Sequence, residues 1–164
     1  MTKKQTVVIL FLCAVLSGCG FHLRMHQKQL NHQYPQIQLP LSGSHTLHQA
    51  IRRALAASSV HVVESTIAKS SLPPLVVLAE DITTQPLVYG PDNELRRERL
   101  RMIVKFSFGK NTPKVFELAT ERDRMLNSNQ HLGDNAEKVL IEQEMQMDII
   151  RQLLRFLANN PKLS

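Results

Sequence analysis

The chain has 164 residues, of which 43% are hydrophobic, and its formal net charge is +6. This length suits one domain of ordinary size with its own hydrophobic core. With no tryptophan and only 5% aromatic residues, the chain lacks the stacking platforms that single-stranded nucleic acid requires, so we expect no nucleic-acid partner. The moderate positive charge suits an anionic surface or ligand.

The first 18 residues have the layout of a secretory signal peptide. Lys3 and Lys4 precede ten apolar residues at 7–16, a run too short for a membrane span of about 20 residues. The segment Leu16-Ser17-Gly18-Cys19 resembles the lipobox of bacterial lipoproteins, where the peptidase cuts before a lipidated cysteine. We therefore predict a signal peptide over residues 1–18 and lipidation at Cys19. The alternative is an ordinary signal peptide with a chance cysteine.

Lipidation would determine both the cysteine chemistry and the location of the mature chain. Cys13 leaves with the signal peptide and Cys19 carries acyl chains, so no free thiol remains for a disulfide or for a nucleophile. Several acyl chains, at about 0.8 kcal/mol for each buried CH₂, anchor a protein without spanning the bilayer. Gly20 follows the cysteine, whereas lipoproteins kept at the inner membrane commonly have Asp there, so we predict the outer membrane.

Residues 19–35, which are polar over 25–35, are predicted to be a lipid-attached tether, and residues 36–160 a single domain. Ile37 and Leu39 alternate with glutamines, which predicts a short strand, and Ser44 is placed to cap a helix. The predicted core stripe of that helix is Leu47, Ala50, Ile51, Ala54 and Leu55. Its predicted solvent face is His48, Gln49, Arg52 and Arg53. A brief strand at 60–63 and a loop at 65–71 follow.

The middle of the chain is predicted to be a sheet. Strands are expected over 75–82, over 97–108 and over 115–121, with turns at 89–93 and 110–113. The second strand has the clearest period. Its predicted core face is Leu100, Met102, Val104, Phe106 and Phe108. Its opposite face is Arg97, Arg99, Arg101, Lys105 and Ser107, interrupted by Ile103. One face of the sheet therefore packs on a core, and the other faces water or a charged partner.

A long helix is predicted to close the domain. Asp134 with Glu137 three residues later forms a capping-box arrangement, and the helix is expected to end near Leu157, before Pro161. Its predicted buried stripe is Ala136, Val139, Leu140, Met147, Ile150, Leu153, Leu154 and Leu157. Two amphipathic helices on the apolar face of one sheet predict an α/β (α+β) fold, a two-layer sandwich.

The sequence contains no recognisable catalytic motif. Gly-x-Ser-x-Gly, His-Glu-x-x-His and phosphate-loop patterns are all absent, so we predict that the protein is not an enzyme and takes no cofactor. The pairs His22/His26 and His45/His48 have spacings that a metal could use, but neither has an obvious third ligand nearby. We therefore predict no metal site.

The basic residues of the sheet are the candidate binding site. Arginine holds phosphate and carboxylate groups in a planar, bidentate way, and three arginines alternate along one strand face. The candidates for binding an anionic ligand or a partner are Arg96, Arg97, Arg99, Arg101, Lys110 and Lys114. A solvated sheet face, kept charged to discourage aggregation, explains the same pattern.

The mature N-terminus, CGFHLR at 19–24, resembles that of the LPS-assembly lipoprotein family LptE. The resemblance continues through the paired arginines within 50–55, the strands at 98–108 and 114–116, and the acidic-start helix with Asp134-Asn135 and Glu144-Met145. It implies two helices on a mostly antiparallel four-stranded sheet. Basic residues that the family uses near strand connections correspond here to Asp92 and Gly133, with Arg96 and Arg97 nearby.

The resemblance also implies a role. LptE proteins are not enzymes; they sit as a plug in the lumen of the outer-membrane barrel LptD, help it fold, and help deliver lipopolysaccharide to the outer leaflet. Lipopolysaccharide carries phosphates and carboxylates, which arginines on rigid elements recognise. Two alternatives stay open: a periplasm-facing lipoprotein that binds another envelope protein without a lipopolysaccharide role, and an enzyme whose site is too scattered to form a motif.

Overall fold

The computed structural model describes residues 27–64, 71–126 and 131–160. The predicted signal peptide, Cys19 and most of the predicted loop at 65–71 lie outside these ranges. The elements in chain order are α1 (Gln27–Gln33), β1 (Gln36–Gln38), α2 (His45–Ala57), β2 (His61–Val63), β3 (Leu75–Tyr89), β4 (Leu95–Phe108), β5 (Lys114–Met125) and α3 (His131–Asn159).

The three long strands form an antiparallel sheet in the order β3-β4-β5, and β1 pairs with β2 in parallel. A parallel bridge between Gln38 and Pro74 connects the pair to the start of β3. The mixed α+β class is confirmed, but the sheet is not the predicted four-stranded one. Pro73 and Pro74 lack the N–H groups that would extend the ladder between β1 and β3, so β1 and the long sheet share only this bridge.

The alternation along β4 decides which face of the sheet is buried. Its predicted core face is confirmed, because all five side chains are 0% exposed: Leu100, Met102, Val104, Phe106 and Phe108. The helix α2 adds Leu47, Ile51 and Leu55 to this core, as predicted, and Ser44 caps the helix by accepting a hydrogen bond from the Leu47 N–H at 3.3 Å.

One residue of α2 contradicts its predicted orientation. His48 was expected to face solvent, yet it is only 2% exposed, and neither ring nitrogen has a hydrogen-bond partner among the described residues. His48 lies one residue beyond Leu47 on the helix, at the margin of the apolar stripe, so the stripe is wider than the sequence pattern indicates.

The long helix α3 begins at His131, so Asp134 lies inside it and the predicted cap is wrong. The predicted buried stripe holds for Ile150, Leu153 and Leu157. Toward the N-terminus it fails: Val139, Leu140 and Met147 are 52–60% exposed, Ala136 is exposed, and Met145 and Ile149 are buried instead.

The contacts between α3 and β5 explain this difference. The rings of Phe156 and Phe116 stack at 3.9 Å between centroids, the Gln152 side chain donates to the Ala119 carbonyl at 3.1 Å, and Asp148 pairs with Arg122. The helix therefore runs antiparallel to β5. Since β5 ends at Met125, the first turns of α3 extend past the strand and have less sheet to cover.

The predicted tether also contains a structured element. The residues Gln27–Gln33 form α1, and Leu30 and Tyr34 are 2% and 1% exposed. The Tyr34 ring packs edge-on against Phe108 at 5.1 Å, and its hydroxyl donates to the Asn160 carbonyl. The folded part thus begins before Gln36, because two large side chains in a polar segment reach the core.

Candidate functional site

The strands β4 and β5 place the outward-facing arginines opposite acidic residues. Their register pairs Arg99 with Asp123 and Arg101 with Glu121. The Arg99 Nε donates to Asp123 Oδ1 at 2.7 Å, and Arg97 Nη2 donates to Asp123 Oδ2 at 2.8 Å. The Arg101 Nε lies 3.4 Å from Glu121 Oε1. Three of the predicted binding residues are therefore engaged within the chain.

Lys105 and Glu117 add one more rung, with 3.6 Å between Nζ and Oε2. We call this set the outer ladder: Arg97, Arg99, Arg101, Lys105, Glu117, Glu121 and Asp123. The hydrogen bond from Arg99 is the main cause that holds the pKa of Asp123 below its usual value, and Asp123 in turn raises the pKa of Arg99. Both side chains thus stay charged, and the outer ladder is nearly neutral as a whole.

Arg96 lies apart from the outer ladder, beside the turn between β3 and β4. It pairs with Asp92, and its Nη2 lies 3.3 Å from Glu94 Oε2. The backbone N–H of Glu94, followed by the charge of Arg96, lowers the pKa of Asp92. Asp92 is therefore a carboxylate whose charge is compensated by its neighbour Arg96.

Lys110 and Lys114 lie at the opposite end of the sheet, around the turn between β4 and β5. Lys110 is exposed, and the Lys114 Nζ is 5.4 Å from the centre of the Phe156 ring, a cation–π distance. Lys114 lies opposite Phe108 in the ladder. Phe108 is eleven residues from Arg97 along β4, a distance of about 36 Å along the strand. The six candidate residues thus form three separate groups and not one site.

A buried ion pair, which the sequence pattern did not predict, lies on the inner face of the sheet. Arg124 Nε lies 2.5 Å from Glu98 Oε1, and both side chains are only 8% exposed. Glu98 has an even number, like the buried residues of β4, and this shared parity was the signal in the sequence that could have placed it on the inner face. A second cluster joins the layers, since Asp148 of α3 pairs with both Arg122 and Arg151. Arg151, followed by Arg122, lowers the pKa of Asp148.

The described part of the chain was also compared with three other kinds of feature: a cleft, a metal site and a membrane-spanning helix. A cleft of about 590 Å³ lies between the end of α2 and β2, lined by Arg52, Arg53, Ala56, Val60, His61, Val62 and Glu64. In the ranges that the structure describes, no three His, Cys, Asp or Glu residues are grouped so as to hold a metal ion; His22 and His26 lie outside them. No helix in these ranges is long and apolar enough to cross a bilayer.

Comparison with known proteins places this chain in a family. The model of the lipopolysaccharide-assembly family LptE matches residues 34–157, which include β1 to β5 and nearly all of α3. None of the curated proteins matches the chain in sequence.

Three solved structures share the fold. Rare lipoprotein B from Shewanella oneidensis is 19% identical, with a TM-score of 0.68 over 76% of this chain and 95% of its own. A minor lipoprotein from Acinetobacter baumannii is 18% identical, with a TM-score of 0.64 over 77% and 92%. Lipoprotein B from Nitrosomonas europaea is 19% identical, with a TM-score of 0.63 over 74% and 81%. At these identities the likeness concerns the fold alone.

Proposed function

Because this chain belongs to the lipopolysaccharide-assembly family LptE, we propose that it is an outer-membrane lipoprotein that helps the LptD barrel to fold and occupies its lumen. In this role it takes part in delivering lipopolysaccharide to the outer leaflet. It acts by binding, and acyl chains on Cys19 hold it to the membrane. The family match over residues 34–157 is the observation that carries the proposal.

The outer ladder supports a location in a barrel lumen. Lumens of outer-membrane barrels are polar, so a plug needs a polar surface on the elements that meet the wall. Arg97, Arg99 and Arg101 supply donors along β4, and Glu121 and Asp123 supply acceptors along β5. Alternating charges of this kind favour a specific register with a polar partner more than they add raw affinity.

The candidate lipopolysaccharide contacts differ in availability. Arg97 and Arg99 share Asp123, so a phosphate would have to compete with that carboxylate. The side chain of Arg101 is 51% exposed and has a longer contact, 3.4 Å, to Glu121. Lys110 and Lys114 make no salt bridge within the described residues. We propose Arg101 as the arginine of the outer ladder that is most accessible to a phosphate.

Copurification tests the proposal. The full chain, tagged at its C-terminus, is extracted from native envelopes in mild detergent, and the captured proteins and lipopolysaccharide are identified. We expect both LptD and lipopolysaccharide. The variant Arg101→Gln should reduce the lipopolysaccharide captured, while the matched variant Arg155→Gln, an exposed arginine of α3, should not. Capture of a different envelope protein without LptD would favour the alternative role instead.

The proposed anchor has its own test. The variant Cys19→Ser should accumulate as an unprocessed precursor without acyl chains, and the parent should begin at an acylated Cys19. Mass spectrometry of both N-termini gives the answer. A parent whose mature form begins elsewhere, or carries no lipid, would contradict the anchor and leave the LptD result to stand separately.

A further inference from the structure

The short strand β2 forms one edge of the fold. It pairs with β1 in parallel, and β1 in turn meets the long sheet through the bridge between Gln38 and Pro74. Within the described ranges no strand lies on the other side of β2. A strand in this position presents unpaired backbone groups, onto which another extended chain can add.

The hydrogen bonds to β1 show which backbone groups of β2 are left over. The His61 N–H donates to the Pro35 carbonyl at 2.9 Å, and the Leu39 N–H donates to the Val63 carbonyl at 3.0 Å. Because a parallel ladder uses alternate residues of a strand, His61 and Val63 face β1, and Val62 between them faces away. The N–H and C=O of Val62 therefore point outward from the edge, and the described part of the chain offers them no hydrogen-bond partner.

The cleft described above lies beside this edge, and its opposite wall is α2. None of its described lining residues belongs to β1, so it lies on the side of β2 away from β1. Its volume of about 590 Å³ falls within the range of about 300–1,000 Å³ that ligand pockets have. Ala56, Val60 and Val62 supply apolar lining. A chain that adds to β2 would place the side chains of one face in this cleft, because side chains alternate along a strand.

The charged residues of the cleft favour an acidic occupant. Its lining contains Arg52, Arg53 and His61 against a single carboxylate, that of Glu64. The Glu64 Oε1 lies 3.3 Å from Arg52 Nη1. Arg53 is exposed and makes no salt bridge within the described ranges, and its Nε donates to the Gln49 carbonyl at 3.3 Å. That bond orients the guanidinium group but leaves its charge uncompensated, so the cleft is net positive.

Two structural roles do not explain these cations. Charges that protect a sheet edge stand on the edge strand itself, but Arg52 and Arg53 belong to α2. Compensation of a helix dipole is confined to the last turn, and α2 has no basic residue there. Outward backbone groups, apolar lining and cations together fit an extended polypeptide segment with acidic side chains, whereas a free phosphate would use only the cations.

We propose that the edge of β2 and this cleft bind an extended acidic segment of the LptD polypeptide, which adds to β2 as a further strand. This inference rests on the proposed location in the barrel lumen, where the LptD chain surrounds the fold. The strands of a closed barrel have no free edge, so the segment comes from a loop or a terminal part of LptD that enters the lumen. Its carboxylates meet Arg53 and His61, and its backbone pairs with Val62.

Photocrosslinking inside the cleft tests the proposal. A photoreactive amino acid replaces Ala56, an exposed lining residue on α2, in the full-length, lipidated protein in native envelopes, and mass spectrometry identifies the crosslinked peptide. We expect an adduct with LptD, in a segment that is rich in Asp and Glu and lies outside the barrel wall. An adduct with lipopolysaccharide or phospholipid alone would overturn the proposal and assign the cleft to a phosphate-bearing lipid.

Two pairs of variants separate the backbone contact from the charge. Val62→Pro removes the outward N–H but no bond to β1, since an edge strand tolerates proline where the N–H faces away from the sheet. It should lower the adduct at position 56 about fivefold, the effect of one lost hydrogen bond, whereas Val62→Thr keeps the N–H and should retain the adduct. Arg53→Gln should lower the adduct as well, and Arg155→Gln, which lies outside the cleft, should not.

The result is separable from that of the proposed function. Circular dichroism confirms that each variant folds, and copurification measures its association with LptD. If LptD copurifies but position 56 yields no LptD adduct, or if Val62→Pro and Arg53→Gln leave the adduct unchanged, the inference is wrong and the proposed function stands. If LptD does not copurify with the parent, the proposed function itself fails, and this inference fails with it.

Discussion

Arg99 and Asp123 face each other across β4 and β5, joined by two hydrogen bonds of 2.7 and 3.2 Å from Nε and Nη2. This two-point contact is the centre of the outer ladder. The arginine side chains alternate along β4 as predicted, but carboxylates of β5 neutralise their positive charge. A surface of this kind stays polar while carrying little net charge.

The first prediction concerns the pH dependence of stability. Because the pKa of Asp123 is lowered in the fold, its contribution is present above the unfolded value near 3.9 and is lost as the pH falls through the lower folded pKa. The variant Asp123→Asn should be less stable than the parent at pH 7, and the gap should narrow below about pH 4. Urea unfolding at pH 7 and pH 3 measures both differences. The control Asp81→Asn, an exposed residue of β3, should change little at pH 7; a gap that widens in acid would contradict the assignment.

The second prediction tests the rotational phase of α3. Leu153 is 0% exposed, so Leu153→Asp would bury an unpaired charge and should lower the free energy of unfolding by several kcal/mol. Gln152 is a poor control, because its side chain donates to the Ala119 carbonyl. Gln143→Asp, at an exposed position of the same helix, should cost less than about 0.5 kcal/mol. Equal melting temperatures for the two variants would show that the phase is wrong.

The third prediction compares two glycines. Gly43 has φ +77°, and a Cβ there would lie 2.8 Å from Val77 Cγ1. Gly43→Ala should therefore destabilise the fold by about 1–3 kcal/mol. At Gly90 the nearest atoms to an added Cβ would be side-chain atoms of Asp92 and Arg96, which can move, and φ is not in the left-handed region, so Gly90→Ala should cost clearly less. Chemical denaturation ranks the two variants, and the reverse order would contradict the backbone described for residue 43.

The fourth prediction concerns the buried imidazole of His48. A buried polar group without a partner costs about 1–3 kcal/mol, and both ring nitrogens lack one within the described ranges. The variant His48→Leu, of similar volume, should raise the free energy of unfolding by about 1 kcal/mol. His45→Leu, at an exposed position of the same helix, should have little effect. A loss of stability in His48→Leu would mean that the imidazole contributes favourably to the fold.

Local patterns were enough to predict much of the fold. The period of two in β4 gave its buried face, and the spacing from Ser44 through Leu55 gave α2 and its cap. These signals depend on neighbours within one element. The strand ends were harder, since β3 continues to Tyr89 although its far half is largely exposed and therefore lacks the apolar pattern of a buried strand.

The missed features depend on contacts between distant parts of the chain. Tyr34 and Asn160 are far apart in sequence, and their contact makes α1 part of the fold. The pairing of Arg99 with Asp123 follows from the register of two strands, and periodicity alone does not determine a register.

Photocrosslinking in the native envelope tests the central claim, that this protein works inside LptD, most directly. A photoreactive amino acid replaces Ile103, which lies on the outer face of β4 between Arg101 and Lys105, in the full-length, lipidated protein. We predict that irradiation yields a covalent adduct with LptD. If a folded and lipidated protein forms adducts only with other envelope proteins, it does not occupy the barrel and the proposed function is wrong.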